Sequence, residues 1–239
     1  MTAYVTENPA TGVVEQTFPT MSDDEVQDVL ARAADACAKW RATSIDERVR
    51  MLRDTAQAYR DRAAELAVVI TTEMGKPLPQ AHGELALTAM IYDWYAENGP
   101  RLLETEQLDP QGAAESLVTR EPIGTVLGIM PWNFPYYQVA RFAGPNLLLG
   151  NTVVLKHAPI CARSSQLMEE IAHAAGVPRD AYINIFASNE QIADMIGDKR
   201  IHGVSLTGSG RAGAAVAETA AKHLKKSVLE LGGSDAFIL

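Results

Sequence analysis

Val204-Ser205-Leu206-Thr207-Gly208-Ser209-Gly210-Arg211-Ala212-Gly213 passes from an apolar segment through closely spaced glycines into small residues. Gly203 to Leu206 reads as a strand and Ala212 to His223 as a helix, so the glycines fall at a strand-to-helix turn. Glycine lets backbone approach a ligand closely, and a helix N-terminus presents free N–H groups and a positive dipole end to phosphate. Gly208-x-Gly210-x-x-Gly213 in this setting has the spacing of a dinucleotide-binding turn. A tight turn in a small-residue segment would use the same residues. An acidic residue about 20 positions on would hold a ribose, and Glu230 stands there. That motif ordinarily follows the first strand of its domain, whereas here at least two strand–helix units precede it. Glu230 is followed at once by Leu231-Gly232-Gly233, a second close approach of backbone.

Outward from this turn, short apolar strands alternate with helices. Strands are expected at Ser116–Arg120, Gly124–Met130, Thr152–Lys156, Tyr182–Phe186 and Ser227–Leu231, and helices at Ser164–Ala175 and Glu190–Ile196. Such alternation implies βαβ units and a parallel sheet covered on both faces. Ligands of such sheets bind beyond the C-terminal ends of the strands, here past Met130, Leu155, Leu206 and Leu229. The first hundred residues read as mostly helical. Ser22–Glu25 and Ser44–Glu47 are capping boxes. Val49 to Ile70 traces one long helix that stops at Gly75-Lys76-Pro77. A further helix carries Leu87, Met90, Ile91, Trp94 and Tyr95 on one side and is expected to end at Asn98-Gly99-Pro100. The fold expected is α/β: a Rossmann-like parallel sheet flanked by helices, with a helical N-terminal region and a small β-hairpin extension. The corresponding divisions are 1–110, 111–128 and 129–239.

Composition sets limits. The 239 residues are 47% apolar and 21% charged with a net charge of −9, which argues against nucleic-acid or anionic-membrane surfaces, since both need clustered Lys and Arg. No apolar run approaches a membrane span, and the N-terminus lacks a basic start and an apolar stretch. Cys37 and Cys161 make no disulfide framework, so a cytoplasmic setting is expected. The histidines show no ligand spacing, and no metal is expected.

Ile129-Met130-Pro131-Trp132-Asn133-Phe134-Pro135 lies where a strand ends. Two prolines stiffen the loop, and Asn133 between aromatics can present an amide donor in a fixed direction, as an oxyanion requires. A proline-rich turn with packed aromatics is the alternative.

Taken in order, Pro131–Pro135, a helix, Thr152–Pro159, Leu206–Gly213 and Leu229–Gly233 resemble the aldehyde dehydrogenase superfamily over essentially the whole chain. The similarity is closest to its succinate-semialdehyde dehydrogenase group, through Leu155-Lys156-His157-Ala158-Pro159 and the run from Val228 to Ile238. The resemblance implies that Asn133 donates to the oxyanion and that Glu230 is the general base hydrolysing a thioester. It places Met130, Pro131 and Trp132 beside an NAD(P) cofactor, Lys156 on the adenosine ribose with His157, Ala158 and Pro159 lining that pocket, Gly208 and Ser209 at the pyrophosphate, and Leu231 facing the nicotinamide. Arg141, on the helix after the proline-rich loop, takes the position of a carboxylate-binding arginine, though a surface arginine would look the same. The implied substrate is a small-molecule aldehyde, with succinate semialdehyde first among candidates, and the implied assembly is a homo-oligomer bridged by a hairpin within Ser116–Met130.

Two departures from the family pattern stand out. Pro159 occupies the position where NAD-preferring members often carry a glutamate, so a 2′-phosphate meets no like charge; NADP is expected over NAD. A glycine common near the next helix is absent from Ala187-Ser188-Asn189. The family's nucleophilic cysteine would lie past the Glu230 motif. Cys37 and Cys161 read as structural, and the apolar run Phe237-Ile238-Leu239 reads as an unfinished strand of a truncated, inactive chain. Two other readings stay open: a different Rossmann-type oxidoreductase with Glu230 on the ribose, and a nucleotide-binding chain without activity.

Overall fold

The computed structural model describes residues 4–109, 112 and 115–238. A hairpin of β1 (Tyr4–Asn8) and β2 (Val13–Phe18) precedes four helices: α1 (Asp23–Ala42), α2 (Ile45–Asp61), α3 (Ala63–Met74) and α4 (Leu78–Leu103). Both capping boxes form: Ser22 caps α1 with Glu25, and Ser44 caps α2 with Glu47. The long helix read from Val49 to Ile70 is two helices, broken at Arg62 (φ −100°, ψ 8°). The buried stripe continues across the break through Tyr59, Leu66 and Ile70, so side-chain periodicity carries no mark of it. Gly75 caps α3 in the left-handed region, at φ +75°.

The expected stop at Gly99-Pro100 is not a stop, because α4 runs through both to Leu103. Gly99 is there for packing: a Cβ would lie 1.9 Å from Leu148 Cδ2 on the facing helix. Proline one turn from a helix end removes only one of the last hydrogen bonds. The core-facing stripe of α4 is also not the one expected. Ala81, Leu85, Ala89, Tyr92 and Ala96 are buried, whereas Met90 and Trp94 are 56% and 49% exposed.

The small hairpin is displaced. β3 (Glu106–Leu108) pairs antiparallel with β4 (Ser116–Val118), and the segment from Thr125 to Met130 belongs elsewhere. That segment, β5, is buried along almost its full length, as a central parallel strand must be. From there β5 (Thr125–Met130), α5 (Pro135–Leu149), β6 (Thr152–His157), α6 (Ala162–Ala174), β7 (Tyr182–Ile185), α7 (Asn189–Gly197), β8 (Ile201–Gly208), α8 (Gly210–Lys222) and β9 (Lys226–Leu231) alternate as expected. Residues 232–238 follow β9 without regular structure, so the strand read at Phe237-Ile238 is not formed among the described residues.

The five strands form one parallel sheet in the order β7-β6-β5-β8-β9. In chain order this is third, second, first, fourth, fifth, the Rossmann-like arrangement. Residues alternate between faces. Val126, Met130, Val153 and Leu155 pack against α2 to α6, while Leu127, Val154, Ile183 and Val204 pack with α1, α7 and α8. The order reverses between β5 and β8, and the crevice past their C-terminal ends is where such sheets take ligands. Among the described residues no helix is long and apolar enough to cross a membrane, and no three His, Cys, Asp or Glu side chains gather as a metal site.

Candidate cofactor and catalytic site

At the crevice past β5 and β8, a cleft of about 400 Å³ is lined by Pro131, Trp132, Asn133, Gln138, Arg141, Thr207, Gly208, Ser209, Glu230 and Leu231. Three strand ends build it. β5 delivers the proline-rich loop, β8 the glycine turn, and β9 brings Glu230 level with Thr207 and Leu231 level with Gly208. The glycine motif therefore sits on the fourth strand of its sheet.

Asn133 lines the cleft; its Oδ1 accepts the N–H of Phe134 at 3.1 Å, and among the described residues its amide nitrogen has no partner. Ser209 caps α8, its Oγ accepting from Ala212 N at 3.3 Å. An added Cβ would meet nothing within 4 Å at Gly210 and only Leu206 Cδ2, at 3.6 Å, at Gly208, so backbone there is open to close approach. Glu230 Oε1 lies 3.3 Å from Arg141 Nη2, both side chains partly exposed. Arg141 also donates to Gln138 Oε1 at 3.1 Å. A solvent-exposed pair of this kind is worth under about 1 kcal/mol and yields to a better-placed carboxylate. Met130 is 3% exposed and lines a smaller cavity shared with Arg141 and Glu230.

Arg141 borders a further groove of about 260 Å³ with Leu87, Ile91, Trp94, Tyr95 and Tyr137. This is the face of α4 that the sequence marks as apolar; Ile91 and Tyr95 touch the core only at its margin, and Trp94 stays exposed.

Strand alternation separates Lys156 from His157. Lys156 is level with Ile129 and turns to the α7–α8 side, where it lines an apolar slot of about 210 Å³ with Asn189, Ile192, Leu206, Ala212 and Val216. It is only 7% exposed, and burial pushes its ammonium pKa down. Among the described residues no carboxylate pairs with it, and the Tyr4 ring centroid lies 5.9 Å from its Nζ. A buried cation without a counter-charge suits an anionic or hydroxyl-rich ligand. His157 turns to the opposite face, is 1% exposed, and its Nε2 meets Pro135 O at 3.1 Å while its Nδ1 accepts from Ala158 N at 2.8 Å. These partners assign the Nε2–H tautomer, and burial drives its pKa down to about 4. Ala158 and Pro159 are half-buried in the turn after β6 and line neither cavity.

The helix α7 replaces the missing glycine with a cap of its own: Ser188 Oγ accepts from Gln191 N at 3.2 Å and Ser188 N donates to Gln191 Oε1 at 2.9 Å. Ala212, Ala215, Val216 and Thr219 on α8 complete the slot at helical spacing, a signal that the sequence itself carries. Cys161 is fully buried, with its thiol pKa pushed well up by burial. Cys37 bonds to Thr152 at the start of β6, the far end of the sheet from the cleft.

Residues 2–239 match the aldehyde dehydrogenase family, which is the whole of the chain but its first residue. This chain belongs to the aldehyde dehydrogenase family. Among the family's members, the NADP(+) succinate-semialdehyde dehydrogenase of Deinococcus radiodurans is 48% identical over 237 residues, covering 99% of this chain and 49% of that protein. The NAD(P)+ succinate semialdehyde dehydrogenase of Escherichia coli (strain K12) is 44% identical, over 100% and 51%. The crystal structure of succinic semialdehyde dehydrogenase from Streptococcus pyogenes, in complex with NADP+ as the cofactor, matches with a TM-score of 0.96 at 42% identity, over 98% of this chain and 52% of that one. The chain thus spans about half the length of the aldehyde dehydrogenases it resembles.

Proposed function

We propose that these residues form the NADP-binding, oxyanion-stabilising and general-base part of an enzyme that oxidises a carboxylate-bearing aldehyde, succinate semialdehyde first, to the acid. The observation that carries this reading is the convergence of Asn133, Glu230 and Arg141 on one cleft at the switch point of the sheet, next to a slot holding a buried, uncompensated Lys156.

The fit to a dinucleotide rests on three local facts. The slot between α7 and α8 has an apolar lining, as an adenine requires. Lys156 offers a cation at its edge, with Pro159 rather than a carboxylate in the following turn, which supports NADP over NAD. The N-terminus of α8, with open glycine backbone, favours a pyrophosphate. The bound cofactor would supply a hydride acceptor.

The remaining roles belong to side chains. The amide of Asn133 donates to the oxygen on which negative charge grows, a contribution of about 10²–10³ in rate where single donors have been removed. Glu230, a carboxylate at the cleft wall, takes a proton from water so that the hydroxide attacks the acyl carbon of a thioester. Arg141 clamps the distal carboxylate, and the groove along Leu87, Ile91 and Trp94 holds the aliphatic chain. A substrate carboxylate on Arg141 displaces Glu230 from its ion pair and frees it to act. The thiol that forms the thioester is supplied by neither Cys37 nor Cys161, and the chain on its own is expected to show no turnover.

Titration of NADP+ and NAD+ into the chain by calorimetry tests this reading against a ribose-binding role for Glu230. NADP+ should bind more tightly than NAD+, Lys156→Met should weaken NADP+ at least tenfold, and Glu230→Gln should bind within about twofold of the parent. Loss of binding in Glu230→Gln with retention in Lys156→Met would put Glu230 on the ribose and overturn the proposal.

A further inference from the structure

Helix α5 begins without a cap of its own. Its N-cap residue, Phe134, has no side-chain acceptor, and Pro135 has no N–H, so Tyr136 and Tyr137 carry the first amides in need of a partner. Both donate to one oxygen from another helix: Glu84 Oε1 on α4 accepts from Tyr136 N at 2.8 Å and from Tyr137 N at 3.2 Å. A carboxylate in that place is favoured by the helix dipole. The second oxygen, Oε2, accepts from Lys76 Nζ. The same ammonium sits 3.7 Å from the centroid of the Phe134 ring. Glu84 and Lys76 are 3% and 7% exposed.

Burying an ion pair is costly and adds little net stability compared with apolar side chains of the same size. This pair returns something other than stability. It grips the ring of Phe134 and the amides of Tyr136 and Tyr137 in the first turn of α5, while His157 holds Pro135 O from the side of β6. Asn133 itself bonds to Phe134 N. The backbone leaving Asn133 is therefore fixed at successive residues by groups outside the loop.

We propose that Glu84, locked by Lys76, is the positioning residue for Asn133, setting the direction of its amide toward the cleft; the inference rests on the oxyanion role given to Asn133 above. Neither side chain reaches the reacting atoms. A misplacement of about 1 Å at such a donor costs on the order of 10² in rate, which is the scale the clasp guards.

The test uses the 239-residue chain, with ¹⁵N-asparagine labelling to observe the Asn133 side-chain amide and hydrogen exchange to follow the Tyr136 and Tyr137 amides. In Glu84→Ala and Glu84→Asp, exchange at Tyr136 and Tyr137 should accelerate at least tenfold and the Asn133 signal should move, with Val153–Leu155 in the sheet unchanged. Glu84→Gln keeps the Oε1 acceptor and should restore protection to within about twofold. Should Glu84→Ala fail to fold, Glu84→Gln combined with Lys76→Met leaves no unpaired buried charge and decides the matter. Its Tyr136 and Tyr137 amides should stay protected while the Asn133 signal moves, because the ammonium over Phe134 is gone. An Asn133 signal that is unaltered in Glu84→Ala and Glu84→Asp, or in the double variant, overturns the proposal. NADP+ titration of the same samples separates the two claims: a wild-type chain that binds no NADP+ overturns the functional reading, while the Glu84 responses still decide the clasp.

Discussion

Glu73, at the end of α3, joins three parts of the fold through one buried carboxyl group. It accepts from Thr6 of the N-terminal hairpin and from the N–H groups of Arg163 and Ser164 and the Ser164 hydroxyl at the start of α6, which has no cap of its own. Those bonds favour the carboxylate, but burial outweighs them and raises its pKa from 4.5 to about 7. The sign of the consequence follows from proton counts. Below the unfolded value both states hold the proton. Between 4.5 and about 7 the unfolded chain releases it and the folded chain keeps it, so stability falls as pH rises. At about 1.4 kcal/mol per tenfold change in proton affinity, the loss is about 3 kcal/mol. His157 acts with the opposite sign: burial lowers its pKa to about 4, so its contribution is present above the unfolded value of 6.5 and is lost as pH falls toward 4. The two slopes overlap and mask each other in the parent protein. A Glu73→Gln variant removes one of them. Urea unfolding followed by circular dichroism from about pH 4.5 to about pH 8 should show the stability of wild type minus variant falling by about 3 kcal/mol, then levelling. A difference that stays flat or rises with pH would mean that the four donors hold Glu73 ionised throughout, and would refute the reasoning.

Gly99→Ala should destabilise the chain by about 1–3 kcal/mol, because its Cβ would enter the Leu148 side chain; an unfolding midpoint equal to wild type contradicts that packing. Pro159→Glu should weaken NADP+ at least tenfold and leave NAD+ unchanged or improved, measured by the same calorimetric titration. The stability of wild type minus His157→Gln should fall as pH drops below about 6.5; a difference that stays flat would mean that His157 is not held neutral in the fold.

The alternation of strands and helices after Thr125, the glycine turn and the two capping boxes were all legible in the sequence, since each depends on neighbours along the chain. So was the meeting of Asn133, Glu230 and Arg141, through the family resemblance. What the sequence hid depends on partners far along it. The hairpin pairs residues 106–108 with 116–118 because Thr125–Met130 is claimed by the parallel sheet, and no local pattern ranks those two partners. Gly99-Pro100 looks like a stop until the approach of Leu148 is seen. Lys156 and His157 were assigned to one pocket, yet adjacent strand residues must face opposite ways, and that much could have been read from the period of two. Nothing local in the sequence marks Glu73, Lys76 and Glu84 for the contacts they make. The available clue was indirect: α5 and α6 start at Phe134-Pro135 and Cys161-Ala162, without a Ser, Thr, Asp or Asn to take their first amides, so acceptors had to come from elsewhere.

The central claim is that this chain holds the oxyanion donor and the base of an NADP-linked aldehyde oxidation. The most direct measurement is steady-state oxidation of succinate semialdehyde by a chimera joining these 239 residues to the second half of a longer family member. Asn133→Ala and Glu230→Gln should each lower kcat by about 10²-fold or more while NADP+ binds as in the parent. An active chimera in which Glu230→Gln turns over like the parent, or loses NADP+ binding instead, would contradict the account.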